Sequence, residues 1–302
     1  MKTAAVPATK QDSAAPGRGR SVLRRRRAGS GRMSIVDRAA LAVAALMVLI
    51  ALVGPFLAPH DPYAVDLAQA LHAPSGAHWF GTDANGRDVF SRVLYGARVS
   101  LLATVIVIAV ATLIGTLIGT LAALGGRVVD EVLMRICDIG LSLPAIILAL
   151  GLAAALGPGL RSAVIALCLT WWPGYARLVR TLVRDVRDAE YVEAARTLGV
   201  STPRLVFRHV LPNSLDTLYV QTTLDVSAVM LVISGLSFVG VGAQVPSAEW
   251  GATIAGAAGN LTNGWWAVAL PGLAIMLTAI SFNLVGDWLR VRNDPTLRGR
   301  RP

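Results

Sequence analysis

At 302 residues, with 54% hydrophobic and only 15% charged side chains and a mean hydropathy of +0.59, the chain is far less charged than the roughly 25% of soluble domains. That composition excludes a soluble enzyme and points to an all-α polytopic membrane protein. Two cysteines, Cys137 and Cys168, have neither the number nor the spacing of a disulfide framework or a zinc site.

In chain order, residues 1–38 form a basic tail containing RSVLRRRR. It reads as a disordered cytoplasmic segment that fixes orientation and touches anionic lipid, rather than as a nucleic-acid arm. The apolar run after Arg38 exceeds the 7–15 residues of a signal-peptide core and reads as a retained first span. Since about 20 apolar residues cross the hydrocarbon, six transmembrane helices are expected, at about 39–58, 99–124, 138–156, 162–180, 216–240 and 265–289. A long outside loop separates the first two, so residues 39–98 form one unit and 99–290 the core. Gly115 and Gly119 on the second span have the GxxxG spacing that allows close helix approach. Pro144 breaks the third, and a GPG turn at 157–159 leads to the fourth. Residues 291–302 form a cytoplasmic tail.

With both termini cytoplasmic, the inside segments (1–38, 127–138, 177–216 and 288–302) hold 24 of the 28 basic residues. Only Arg87, Arg92, Arg98 and Arg161 fall outside. The net charge of +10 is therefore a positive-inside signature of topology, and no nucleic-acid partner is expected.

The inside loop at about 188–212 contains YVEAARTLGVSTPRLVFRHVLPN. Its first arm carries Tyr191, Val192, Ala195 and Leu198 as an apolar stripe at helical spacing. Gly199 suits a left-handed helix end, Ser201 or Thr202 an N-cap, and Pro203 a first helical turn. Val206 and Val210 line the second arm. Two readings fit this helix–glycine–helix: an interfacial pair resting on headgroups, or a plug docked to a protein. Ala194 and Ala195 beside Glu193 permit close approach and favour docking.

Glu193-Ala194-Ala195, then Gly199 and Leu211-Pro212 at these spacings, resemble the EAA loop of ABC-transporter permeases. One position departs: a small aliphatic residue is often found where His209 stands, and Val210 would supply that contact. GTDANGRDVFSRVLYGARVS, Gly81 to Ser100, resembles the N-terminal signature of the C-type permease of dipeptide, oligopeptide and nickel importers. Its Gly81, Thr82, Asp83, Gly86, Arg87 and Asp88 form a turn leading into a helix, on which Asp88 and Arg92 are expected to pair at i,i+4. The segments WWPGYARLVR, LSFVGVG and PGLAIMLTAISFNLVGDWLR are similar to the same subunit, so that the resemblance covers about residues 35–295.

The resemblance implies a type I ABC importer permease fold in a bacterial plasma membrane. Its implied partners are a homologous second permease, two ATPase subunits and an extracytoplasmic substrate-binding protein. No GxxxxGK[ST] sequence occurs here, so no cofactor is expected in this chain, and ATP and Mg would be bound by the ATPase partners. Glu193, Ala194, Ala195, Leu198, Gly199, Val206, His209, Val210, Leu211 and Pro212 would couple those ATPases to alternating access. The subunit itself would not be an enzyme.

Thr217, Gln221 and Asp225 share one helical face of the fifth span, where the family usually has a small neutral residue in place of Asp225. A carboxylate at that depth is unfavourable by about 2.5–3.5 kcal/mol unless it faces protein or water. Either Gln221 and Asp225 line the pathway and attract a substrate's ammonium group, or Asp225 pairs with a basic or hydroxyl group on a neighbouring helix. His60, His72 and His78 with Asp61 and Asp83 fit no zinc spacing, so no metal site is expected. Three alternatives remain at this level: a nickel or other small-solute permease of the same family, an ion-coupled secondary transporter, and a membrane enzyme using the outside histidines.

Overall fold

The computed structural model describes residues 33–187, 190–197, 200–201, 208 and 211–293. Among them the chain is helical, with Thr82 and Asp88 forming an isolated antiparallel bridge. The helices are α1 (Ile35–Leu57), α2 (Val89–Leu124), α3 (Gly126–Leu141), α4 (Ala145–Leu156), α5 (Leu160–Arg187), α6 (Glu190–Thr197), α7 (Leu211–Phe238), α8 (Trp250–Ala257) and α9 (Trp266–Asn293).

Four helices, α1, α2, α7 and α9, are long and apolar enough to cross a bilayer. The pair α3 and α4, bent by 84°, makes a fifth if counted as one broken span. The remaining expected span falls on α5, which is 28 residues long but carries five arginines. Length and apolar composition thus support four spans, or five with the bent pair, where six were expected.

Two expected boundaries move. The second helix begins at Val89, ten residues before the expected span, because Asp88 caps it: its carboxylate accepts the Ser91 N–H at 2.8 Å. Span three is not one helix from 138. Amphipathic α3 ends at Leu141, with the Ser142 hydroxyl donating to the Ile139 carbonyl at 2.7 Å. Pro144, which lacks an N–H and disfavours helix in the residue before it, starts a new direction. The following α4 has 12 residues, about 18 Å at 1.5 Å per residue, too short to cross the hydrocarbon alone.

The packing is inverted relative to a soluble protein. On α2, Gly96, Ala97, Ser100, Ala103, Thr104, Ala111, Gly115 and Gly119 are buried, whereas Leu102, Val105, Leu113, Leu117 and Leu121 are exposed. In lipid, large apolar side chains gain nothing by turning inward, so close backbone approach by small residues holds the helices together. The GxxxG pair acts in this way against α5. A Cβ at Gly115 would lie 2.3 Å from the Tyr175 Cβ, and one at Gly119 would lie 2.4 Å from the Ala176 carbonyl oxygen. Across the bundle, α7 meets α9 where the Ser227 hydroxyl donates to the Ala279 carbonyl at 2.6 Å.

At the end of the bundle where α2 begins, Arg92 ties separate segments together. Its guanidinium, with a side chain 1% exposed, donates to the carbonyls of Pro62 (3.0 Å), Pro246 (3.3 Å) and Ser247 (2.7 Å) and to the Thr253 hydroxyl (3.1 Å). The expected Asp88–Arg92 ion pair does not form. Asp88 is occupied in capping α2, and the carboxylate nearest Arg92 is Asp83, at 3.9 Å. Close by, Glu249 is fully buried and caps α8 through the Ala252 N–H at 2.8 Å, while accepting from Ser100 on α2 and Ser234 on α7.

Three substitutions probe these contacts by melting temperature in detergent. Gly115→Ile, which overpacks the α2–α5 contact, should destabilise by about 1–3 kcal/mol, whereas Leu117→Ala on the outer face should change stability by less than about 0.5 kcal/mol. Arg92→Gln removes the donors to the buried Pro62 carbonyl and Thr253 hydroxyl and should lower stability by about 2 kcal/mol or more.

Candidate functional site

The signature Gly81 to Asp88 forms a buried staple. Asp83 makes the turn, its Oδ1 accepting the N–H groups of Asn85 (2.8 Å) and Arg87 (3.0 Å) while Oδ2 accepts the Arg87 Nε at 2.7 Å. Gly86 has a φ of +72°, and a Cβ there would lie 1.7 Å from the Asp66 carbonyl oxygen, so no other residue fits. The Thr82 hydroxyl donates to the Gln69 carbonyl and accepts the His72 N–H at 2.9 Å, and the Thr82 carbonyl accepts the Trp266 indole N–H at 2.9 Å. All six expected motif residues are therefore brought together and buried. They join the loop between α1 and α2 to the start of α9, and do not present side chains to a partner.

Of the outside histidines and acids, His60 and His78 come together, with Asp88 as the third member in place of Asp61 or Asp83. One ligand atom from each lies within 4.8 Å of the others, an arrangement that could hold a metal ion. Existing hydrogen bonds occupy much of it. His78 meets Asp88 Oδ1 at 2.9 Å through Nδ1 and Gln69 Oε1 at 2.7 Å through Nε2. The other oxygen of Asp88 caps α2.

A different cavity lies inside the bundle, where α5 and α7 meet the elbow between α3 and α4. Its volume is about 330 Å³, and Gln221 and Asp225 both line it with Trp171 and Tyr175. The two expected pathway residues thus share one cavity, and the Gln221 amide donates to Asp225 Oδ1 at 3.0 Å. Thr217, the third residue of that face, is exposed and does not line it. The buried Tyr175 hydroxyl faces Asp225 and Thr112 without a well-formed hydrogen bond to either. Trp171 and Tyr175 lay within the quoted family segment WWPGYARLVR, but helical spacing alone does not reveal that they face Asp225.

At the opposite end from Arg92, α3 and α5 are held by ion pairs. Asp130 bridges Arg180 and Arg184, the latter at 2.7 Å, and Arg177 meets Asp138 at 2.6 Å. Arg187 Nη1 donates to the Ala123 carbonyl near the end of α2 at 3.0 Å. Just beyond, α6 carries Glu193, which is exposed, and Val192, which is buried. Ala194 and Ala195 are in this helix. Leu198, Gly199, Val206, His209 and Val210 lie outside the described residues. Leu211 and Pro212 precede the apolar span Thr217–Phe238 as expected, and form the first turn of the helix that continues into it, a position where proline's missing N–H leaves no hydrogen bond unmade.

Comparison with known proteins agrees with this layout. Residues 115–299 match the family described as binding-protein-dependent transport system inner membrane component, and residues 38–74 match the N-terminal transmembrane domain of oligopeptide transport permease C. The chain is 47% identical over 256 residues to the probable D,D-dipeptide transport system permease protein DdpC of Escherichia coli K12, covering 84% of this chain and 86% of that one. It is 40% identical to the dipeptide transport system permease protein DppC of Bacillus subtilis 168 (85% and 82% covered). It is also 40% identical to the nickel transport system permease protein NikC of E. coli K12 (89% and 96% covered). Among solved structures, an inward-facing MetNI methionine ABC transporter shares the fold, with a TM-score of 0.55 at 19% identity, covering 67% of this chain and 96% of that one. The chain belongs to the binding-protein-dependent transport system inner membrane component family, and within it resembles the permease C subunits of peptide and nickel importers.

Proposed function

We propose that this chain is one of two permease halves in an ATP-driven importer of short peptides, with both termini on the cytoplasmic side of a bacterial plasma membrane. The observation that carries the motor-coupling part is α6. It stands at the end of α5 with Glu193 exposed, at the end of the bundle where the arginines of α5 cluster. A short helix with Glu190, Glu193 and Thr197 exposed at the positively charged end fits a contact with cytoplasmic ATPases that supply ATP and Mg. It also gives the protein-docking reading of the loop the advantage over a headgroup-resting pair. The peptide substrate is supported by the dipeptide transport relatives, and the nickel transport relative makes a nickel complex the second reading.

In this reading ATP draws the ATPases together, α6 follows as a rigid element, and the bundle passes from inward- to outward-facing. The buried staple around Asp83 and Arg92 would hold the outer end while the inner end moves. A homologous second permease would complete the pathway, and an extracytoplasmic binding protein would deliver the substrate.

Purification in mild detergent should recover two ATPase chains and a second permease with this subunit. Their consistent absence would favour an ion-coupled transporter. In the assembled complex, Glu193→Ala and Gly199→Val should each lower ATP-dependent peptide uptake several-fold while the subunit stays inserted. Full uptake with full substrate-stimulated ATP hydrolysis in both variants would refute the coupling role.

A further inference from the structure

The geometry points to the cavity between α5, α7 and the α3–α4 elbow as a binding site for an organic ammonium group, the N-terminus of a transported peptide, with Asp225 as its counter-charge. This inference rests on the peptide-import reading and names the chemistry by which this chain would take part in it.

Asp225 is near the midpoint of the 28-residue α7, about 21 Å from its first residue at 1.5 Å per residue. A carboxylate that deep in a membrane bundle ordinarily faces a cationic partner or a water-filled path. Among the described residues, no Lys, Arg or His forms an ion pair with it. The groups that face it are neutral: the Gln221 amide, the Tyr175 hydroxyl and the Trp171 ring N–H. The second sequence alternative, a structural pair with a neighbouring hydroxyl, is met only loosely by Tyr175, whose hydroxyl lacks a well-formed hydrogen bond. The site therefore has negative charge, hydrogen-bond donors held in place, and no cation of its own.

The walls narrow the choice of cation. Trp171 and Tyr175 line the cavity with Leu141 and Ala145 from the elbow. Aromatic rings beside a carboxylate suit a desolvated organic ammonium, which gains cation–π attraction in addition to the ion pair. A divalent metal needs several oxygen, nitrogen or sulfur ligands, whereas this cavity is lined by a single carboxylate with no histidine or cysteine. The chemistry of the cavity thus favours a peptide over a bare nickel ion at this point of the path. Its volume of about 330 Å³ admits a terminal residue with its ammonium group but not a long peptide.

The test uses the full complex of both permeases and the ATPases in proteoliposomes, supplied with the loaded binding protein. Asp225→Asn keeps the side chain's shape and its hydrogen bond to Gln221 and removes only the charge. Dipeptide uptake by this variant should fall by about tenfold, while ATP hydrolysis stimulated by the binding protein continues. Asp225→Glu should restore most of the uptake. Dipeptide uptake by Asp225→Asn equal to the unaltered complex would overturn the inference alone. So would failure of Asp225→Asn to assemble with its partners, since the carboxylate would then be structural. Loss of nickel uptake with peptide uptake intact would also overturn it. If the unaltered complex imports no dipeptide, the peptide-import reading itself falls, and this inference with it.

Discussion

One buried guanidinium fixes the end of the bundle where α2 begins. Among the described residues, Arg92 alone reaches the loop after α1, the segment before α8, and α8 itself from a single position on α2. Each carbonyl it satisfies belongs to irregular backbone, and the buried one, at Pro62, would otherwise be an unpaired acceptor. Glu249 acts next to it from the other side, drawing Ser100 and Ser234 onto the start of α8. The signature Gly81 to Asp88 adds a third set of contacts through Thr82, Asp83 and Trp266. With these groups in place, α1, α2, α7, α8 and α9 share one framework, and the order of helices below it follows.

Further in, the forces change character. Lipid-facing leucines and valines contribute no inward drive, so contact depends on small residues that let backbones approach. Gly115 and Gly119 bring α2 onto α5, which sets Trp171 and Tyr175 against α7 and leaves a cavity at the elbow made by Pro144. At the far end the contacts become ion pairs between α3 and α5, partly exposed and individually weak. A tight polar cap, a small-residue middle and an ionic far end form a gradient from tightly to loosely held contacts.

Much of this was legible in the sequence. Apolar runs located four of the six expected spans, glycine spacing located the α2–α5 contact, and the turn at Asp83 to Gly86 appears where its residues indicated. Gln221 and Asp225 do share a face and a cavity. Long-range partners were not legible. Arg92 sits four residues after Asp88, so helical spacing suggested a local pair, but a capping carboxylate is already engaged and the guanidinium reaches backbone more than 150 positions away. Spacing likewise gave no sign that His60 and His78 meet at Asp88, because the loop between them folds back through Thr82. The 84° bend was signalled by Pro144, although the apolar run through it looked continuous. Glu249 carries no signal in the sequence, because a lone carboxylate next to a tryptophan has no motif without the start of α8 that it caps.

The central claim is that the two ends of this chain meet different partners, the capped end outside and α6 at the motor. Cross-linking from single cysteines in the assembled transporter, with Cys137 and Cys168 replaced by serine, tests it most directly. From Glu193→Cys on α6 the account predicts adducts with an ATPase subunit and none with the binding protein. From Trp79→Cys, an exposed position on the capped end, it predicts the reverse. An ATPase adduct from position 79, or a binding-protein adduct from position 193, would contradict it.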